Sequence, residues 1–322
     1  IKHHDSKTLK LLLDSFQNTH YKLCATATPA PNDFTELGTH AEFLGIRTQS
    51  EMLAEFFVHD GGETQTWRLK GHAKSEFWKW VSSWGALVRN PSDLGYDGNA
   101  YLLPDLHVSQ HTIQTNSLDH GQIFAIEAQT LSDRRIARKS TINERVMACA
   151  NLVKSIDDYW VIWCDLNAEA DALKDAIPEA VEIRGPDSEQ YKEQVLIDFA
   201  HGKIKILISK PKICGFGLNW QHCNNMAFVG VTDSFESYYQ AVRRCWRFGQ
   251  KRPVNVHVIA SDQEGAVVAN LKRKERDALI MADQLSNEVR SSIRNSVLGS
   301  SKETNIYNPS KQIILPTFTK TQ

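Results

Sequence analysis

The feature that most constrains the fold is a series of short apolar runs, separated by amphipathic segments, between residues 159 and 259. Unbroken apolar runs of this length are typical of strands that are covered on both faces. Strands that alternate with helices at this period predict an α/β fold: a parallel sheet with right-handed crossovers and helices on both faces. The predicted strands are residues 159–164, 181–183, 204–209, 225–231 and 254–259.

A row of polar side chains follows one of these predicted strands. Residues 234–250, S-F-E-S-Y-Y-Q-A-V-R-R-C-W-R-F-G-Q, predict a helix with a serine as its N-cap. Gln240, Arg244 and Arg247 fall at i, i+4 and i+7, which would align them along one stripe. Arginine is always charged and can bind a phosphate through two hydrogen bonds, so the stripe could face a phosphate bound by a neighbouring domain. A solvated helix face, with arginines paired to nearby acids, is the alternative.

Three ordered stretches resemble motifs of superfamily-two helicases, in the form found in Swi/Snf-like DNA translocases. Residues 240–250 are similar to motif VI, and residues 214–220, C-G-F-G-L-N-W, are similar to motif V. Residues 24–45, which begin C-A-T-A-T-P, are similar to motif III and its sequel. The resemblance covers most of the chain and is closest to phage and prophage members. It implies two RecA-like lobes, with ATP and Mg²⁺ held by the first lobe.

The resemblance also implies roles for individual residues. Arg244 and Arg247 would reach across the cleft between the lobes to the γ-phosphate, and Gln240 would sense it. The motif V loop would lie at the carboxyl ends of the strands, where ligands bind in such sheets. The residues of this loop expected to contact the cofactor are Gly215, Gly217 and Asn219.

Two groups of basic residues are candidates for DNA contact. Lys210 and Lys212 beside the glycine loop offer sequence-independent charge to a DNA strand. Residues 133–156 predict a long helix with a basic first half, and its candidate backbone contacts are Arg134 and Arg138. A solvated helix face is an equally open interpretation of that half. The formal net charge of −1 argues against binding by bulk electrostatics, so any DNA path would be local.

The N-terminal segment is expected to be the remnant of the first lobe. Residues 8–16 predict a helix and residues 21–25 a short strand, followed by T-A-T-P. The resemblance implies that this motif couples the nucleotide state to the second lobe through Thr26, Thr28 and Pro29. Neither a G-x-x-x-x-G-K-[ST] loop nor a D-E-A-H box is present in the sequence. The 322-residue chain is therefore expected to be a piece of a longer protein, and the piece alone is expected not to hydrolyse ATP.

Four segments are predicted. They are the end of the first lobe (1–45), a helical, Trp-rich insertion (46–105), the second RecA-like domain (106–288) and a flexible tail (289–322). In the insertion, residues 72–88 predict a helix whose Phe77, Val81 and Trp84 form a core stripe, with base stacking as the alternative. The start of the second domain, residues 106–129, predicts two strands.

Composition narrows the class of protein. No run approaches the ~18 apolar residues of a membrane span. Six cysteines are scattered without C-x-x-C pairs, which predicts reduced, mostly buried thiols, no metal site and a cytoplasmic protein.

The sequence is therefore interpreted as the carboxy-terminal part of a Swi/Snf-like, phage-type DNA helicase or translocase. Its expected partners are DNA and the missing first lobe. Two alternatives stay open: a non-catalytic RecA-like module that binds DNA or protein, and the helicase part of a restriction or nuclease system.

Overall fold

The computed structural model describes residues 6–59, 67–114, 138–214, 217–230, 232 and 234–297. A six-stranded sheet has the order β3-β8-β7-β4-β6-β5, and every neighbouring pair is parallel. Its strands are β3 (Leu106–Ile113), β4 (Trp160–Trp163), β5 (Val181–Glu182), β6 (Ile206–Ser209), β7 (Asn225–Phe228) and β8 (Val254–Ser261). A separate antiparallel pair is formed by β1 (Phe57–His59) and β2 (Trp67–Leu69).

Helices cover both faces of the sheet and form a second unit beside it. They are α1 (Lys7–Ser15), α2 (Leu37–Leu44), α3 (Gln49–Phe56), α4 (Lys74–Ser82), α5 (Ile142–Ser155), α6 (Asn167–Ala176), α7 (Glu189–Ala200), α8 (Pro211–Cys214), α9 (Phe235–Val242) and α10 (Gly265–Val297). Ser234 caps α9 through its side-chain oxygen, as the sequence predicts, and Ser188 caps α7 in the same way. None of the described helices is both long enough and apolar enough to cross a bilayer.

Alternate residues of β4 enter two different cores. Val161 and Trp163 belong to one cluster with buried residues of α7 and α9, whereas Trp160 and Ile162 belong to another with residues of α5 and α6. All four side chains are fully buried, because a central parallel strand has helices above and below it. The predicted α/β sheet with helices on both faces is thus confirmed.

The long helix α10 takes part in two cores. Near its start, Val268 and Leu271 pack with the sheet, and further along, Met281, Leu285 and Val289 pack with α3 and α4. We call residues 6–59 and 67–94 the helical unit. We call the described residues of 106–114 and 138–261 the sheet unit. Since α10 continues to Val297 and buries Val289, the predicted flexible tail does not begin at 289. Residues 298–322 lie outside the described part.

The helical unit has an aromatic core that crosses the predicted boundary at 45/46. Leu37 of α2, Phe56 of α3 and Phe77 of α4 share one buried cluster. Phe77 and Val81 are buried, which confirms the predicted core stripe, and Trp84 packs against the same cluster.

Two predicted elements differ in the structure. Residues 21–25 do not form a strand: Tyr21 is 75% and Leu23 87% exposed, and no described strand lies beside them to supply hydrogen bonds. The helix predicted over 133–156 has its described continuous part at Ile142–Ser155, after a turn at Thr141. Residues 115–137 lie outside the description, including Arg134 and the second strand predicted before residue 129.

Candidate functional site

The two candidate arginines lie in a turn, not on a helix. α9 ends at Val242, so the prediction of one helical stripe from Gln240 through Arg247 is wrong. The buried side chain of Gln250 explains the turn, since its Nε2 donates to the carbonyls of Cys223 (3.0 Å) and Cys245 (3.4 Å). Tertiary hydrogen bonds of this kind draw the chain out of the helix.

The turn nevertheless brings the arginines together. The Nη1 atoms of Arg244 and Arg247 each donate to the carbonyl oxygen of Leu218 at 3.0 Å. Arg244 Nε also donates to the carbonyl of Gln240 at 2.9 Å, which ties the guanidinium to the end of α9. The predicted residues Gln240, Arg244 and Arg247 are therefore neighbours, joined through the loop before β7.

The site carries positive charge that the described residues do not neutralise. Neither Arg244 nor Arg247 forms an ion pair with a carboxylate in the described part of the chain. Burial, and then the charge of Arg247, lower the pKa of Arg244 below its ordinary value. Arg247 Nε and Gln240 Oε1 are buried and have no hydrogen-bond partner among the described residues. Unpaired buried polar atoms are costly. Arg247 Nε is a donor, and an anion can supply its missing acceptor, whereas Gln240 Oε1 is an acceptor and needs a donor.

The loop that receives the arginines begins with a glycine in the left-handed region. Gly217 has φ +74°, and a Cβ added there would meet no atom within 4 Å, so the backbone conformation rather than lack of space favours glycine. Leu218 then presents its carbonyl to both arginines, and Trp220 N–H donates to the carbonyl of Arg244 at 2.9 Å. Asn219 is exposed beside them. Gly215 lies outside the described residues.

Gln250 is a site residue whose importance the sequence motif did not reveal. Besides donating to the two carbonyls, its Oε1 accepts hydrogen bonds from the N–H groups of Lys251 (2.9 Å) and Arg252 (3.0 Å). It therefore joins the segment before β7 to the arginine turn. The available signal in the sequence was the pair Gly249-Gln250 at the end of the motif, since a glycine often marks a turn. In the structure Gly249 has φ +93°.

The predicted DNA contacts have different surroundings. Lys212 is exposed on α8, and Lys210 Nζ donates to Asn167 Oδ1 at 2.6 Å near the carboxyl ends of β4 and β6. Arg138 is only 9% exposed and pairs with Asp165 at 2.7 Å and Glu264 at 3.4 Å. A DNA-backbone contact by Arg138 is thus contradicted, since its charge is already buried and paired.

Arg138 belongs to a buried ionic cluster that the sequence did not predict. Arg145 is fully buried and pairs with Glu169 at 2.8 Å, and its Nη1 also donates to the Val229 carbonyl after β7. Glu169 Oε2 in turn accepts from the N–H groups of Asp165 and Leu166, both at 2.9 Å, after β4. The cluster fixes the carboxyl ends of the central strands.

Space in this cluster is fully used. A Cβ added to Gly230 would lie 2.3 Å from Glu169 Oε2, so only glycine fits beside the carboxylate.

The candidate coupling residues lie in an irregular segment. Thr28 is buried, and its N–H donates to Thr26 Oγ1 at 3.1 Å. His40 Nε2 donates to the Pro29 carbonyl at 2.9 Å, which attaches the segment to α2. The T-A-T-P sequence is thus anchored to the helical unit.

All six cysteines are free, and all except Cys24 are buried, which confirms the prediction of reduced, mostly buried thiols. No group of three or more metal-ligating side chains occurs among the described residues.

Part of the chain is similar to known proteins. Residues 131–249 match the family model described as helicase conserved C-terminal domain, a span that includes both arginines. The putative protein p41 of Acyrthosiphon pisum secondary endosymbiont phage 1 is 34% identical over 99 residues, which are 28% of this chain and 22% of that protein. The chain therefore spans only about a fifth of the length of that curated relative.

Two solved structures are also similar. The C-terminal part of the Fun30 ATPase domain is 20% identical, with 44% of this chain and 53% of that chain covered and a TM-score of 0.36. A DEAD box protein from the hyperthermophile Methanococcus jannaschii is 18% identical, with 54% and 40% covered and a TM-score of 0.39. The family match, together with the six-stranded parallel sheet flanked by helices, supports a helicase-related RecA-like module.

Proposed function

We propose that this chain is the carboxy-terminal portion of an ATP-dependent DNA helicase or translocase of the Swi/Snf-like type, related to phage proteins. The observation that carries the proposal is the convergence of Arg244 and Arg247 on the Leu218 carbonyl without a carboxylate among the described residues. Two adjacent guanidinium groups without a counter-ion among the described residues suit a ligand with several negative charges, and a triphosphate has them.

The residues of the site fit a nucleotide phosphate. Among the described residues, Arg247 Nε is a buried donor without an acceptor, which a phosphate oxygen would supply, whereas Gln240 Oε1 is a buried acceptor that needs a donor other than the phosphate. In the proposed complete enzyme, a nucleotide pocket whose characteristic sequences do not occur in this chain would hold ATP and Mg²⁺, which would supply the transferable phosphoryl group. Arg244 and Arg247 would stabilise the charge of that group from the opposite side of the cleft, and Gln240 would sense the γ-phosphate.

The proposed roles in DNA contact and in coupling are inferred from where the residues lie in the fold. Lys212, exposed on α8, and Lys210 would contact the DNA backbone, which Arg138 cannot do. Gly217 and Asn219 would connect that contact to the arginines through the Leu218 carbonyl. Thr26, Thr28 and Pro29 would pass the nucleotide state from the first lobe, in a cytoplasmic enzyme.

Restoration of hydrolysis tests the proposal. The 322-residue chain is mixed with, or fused to, a polypeptide that carries the G-x-x-x-x-G-K-[ST] and D-E-x-H boxes, and DNA-stimulated release of phosphate from ATP is measured. We expect no turnover by the chain alone and DNA-dependent turnover by the combination. Arg244→Ala and Arg247→Ala should each lower the restored rate by ~10³-fold or more, because the finger residues act on the transferring phosphoryl group.

Arg252→Ala is the matched control, since Arg252 lies in the same segment but already pairs with Asp158 at 2.6 Å. It should keep most of the rate. Full activity in Arg244→Ala and Arg247→Ala would refute the finger role. DNA binding without any restored hydrolysis would favour the non-catalytic binding module.

A further inference from the structure

We propose that Tyr101 and Trp246 are positioning residues that hold Arg247 in place by attaching the connection between the two units to the arginine turn. We call the set Tyr101, Pro104, Trp246 and Phe248 the linker clamp. The inference rests on the proposed function, because its consequence is the placement of a phosphate-binding arginine.

The clamp contacts the chain on both sides of Arg247. Trp246 Nε1 donates to the Pro104 carbonyl at 2.7 Å, and the ring of Phe248 lies 5.4 Å from that of Tyr101 at an interplanar angle of 31°. The residue before Arg247 and the residue after it are thus both joined to residues 101–104. Within the described part of the chain the guanidinium makes one hydrogen bond, to Leu218, so its position depends on how the turn is held.

A cation–π contact with Arg243 also restrains the Trp246 ring. The guanidinium of Arg243 lies 5.3 Å from the centroid of the Trp246 ring and 6.0 Å from that of Tyr239 on α9. Such contacts stabilise a ring orientation. The indole is therefore oriented from the α9 side and hydrogen-bonded on the linker side.

The linker connects the clamp to the rest of the molecule. On one side, Leu94 packs against the core of the helical unit, and the short 3-10 segment Pro91–Leu94 contacts α10. On the other side, the Asp105 carbonyl accepts from Val254 N–H at 2.9 Å where β3 and β8 begin. A shift of the helical unit against the sheet unit would reach the neighbours of Arg247 through this short segment.

The rings of Tyr101 and Phe248 are exposed, which indicates that they position the turn and do not form part of a hydrophobic core. Tyr101 is 52% and Phe248 61% exposed, and neither belongs to the buried clusters of the sheet unit. Removing the Tyr101 ring should therefore leave the fold intact and mainly increase the conformational freedom of the turn that holds Arg247.

Binding of inorganic tripolyphosphate to the full 322-residue chain, measured by calorimetry at low salt, tests the clamp. Tyr101→Ala and Trp246→Phe should each weaken binding by about 3- to 10-fold, the range expected for losing one aromatic pair or one hydrogen bond. Tyr101→Phe keeps the ring and should bind like the wild type. In an Arg247→Ala background, Tyr101→Ala should have no further effect, because the clamp acts through that arginine.

Tyr96→Ala is the matched control, since Tyr96 is a 72% exposed tyrosine close in sequence that makes no ring contact with the turn in the described part of the chain. Thermal unfolding of every variant is compared with this control. Equal affinities for Tyr101→Ala and Tyr96→Ala, or an unchanged Tyr101→Ala effect in the Arg247→Ala background, would overturn the clamp. Unaltered affinity in Arg247→Ala itself would instead refute the proposed anion site.

Discussion

The Leu218 carbonyl oxygen is the atom that joins the two sequence motifs of the site. It follows Gly217, whose left-handed backbone turns it toward the arginines, and it accepts from two guanidinium groups at once. A neutral oxygen holds the two cations side by side without cancelling their charge. The arginines therefore remain available to an anion while their positions are restrained.

Gln250 is the residue that we expect to keep this arrangement intact. Gln250→Ala should lower the free energy of unfolding by ~1–3 kcal/mol, because it removes the side-chain donor of the buried Cys223 carbonyl and the acceptor of the Lys251 and Arg252 N–H groups. Chemical denaturation measures the loss. Gln221→Ala is the comparison: its amide also bonds to the turn, at the Phe248 carbonyl, but in an exposed setting, so it should change stability much less. Equal losses in the two variants would contradict the role of Gln250.

At the scale of elements, the buried ionic cluster joins α5 and α6 to the ends of the strands. Arg145 of α5 and Glu169 of α6 are both fully buried, and Glu264 approaches Arg145 at 3.7 Å just after β8. A buried ion pair that loses one partner leaves an uncompensated charge in the interior. The contribution of the cluster to stability is therefore measured best by removing one partner.

Glu169→Gln should therefore destabilise the protein by ~3–5 kcal/mol in chemical denaturation, since Arg145 would keep its charge in the interior without its closest carboxylate. Arg184→Ala removes an arginine that pairs with Glu182 and Asp171 near the surface, and it should have only a small effect. A Glu169→Gln protein as stable as the wild type would show that the cluster contributes little.

At the scale of the whole molecule, sequence patterns predicted the central sheet well and the charged residues poorly. β4, β6, β7 and β8 coincide with apolar runs, because strands covered on both faces need apolar side chains at every position. Arg138 was expected on a basic helix face, but its carboxylate partners Asp165 and Glu264 come from segments far along the chain, and helical periodicity does not report such pairs. Residues 21–25 have a strand-like composition, but no described strand lies beside them.

The sequence predicted which residues form the arginine site but not the conformation of their backbone. The spacing of Gln240, Arg244 and Arg247 suggested one helix, whereas hydrogen bonds from Gln250 and Trp220 hold the last two in a turn. The joint role of α10 in two cores also follows only from the tertiary structure, which places its apolar residues in both clusters.

The central claim is that Arg244 and Arg247 bind phosphate groups. The most direct measurement follows the side-chain N–H signals of arginine by nuclear magnetic resonance, in the full chain, as inorganic tripolyphosphate is added. Signals are assigned by their loss in Arg244→Lys and Arg247→Lys. Our account predicts that both signals shift saturably while the signal of Arg184, already paired with Asp171 and Glu182, stays in place. Saturable binding that leaves the Arg244 and Arg247 signals unmoved would contradict it.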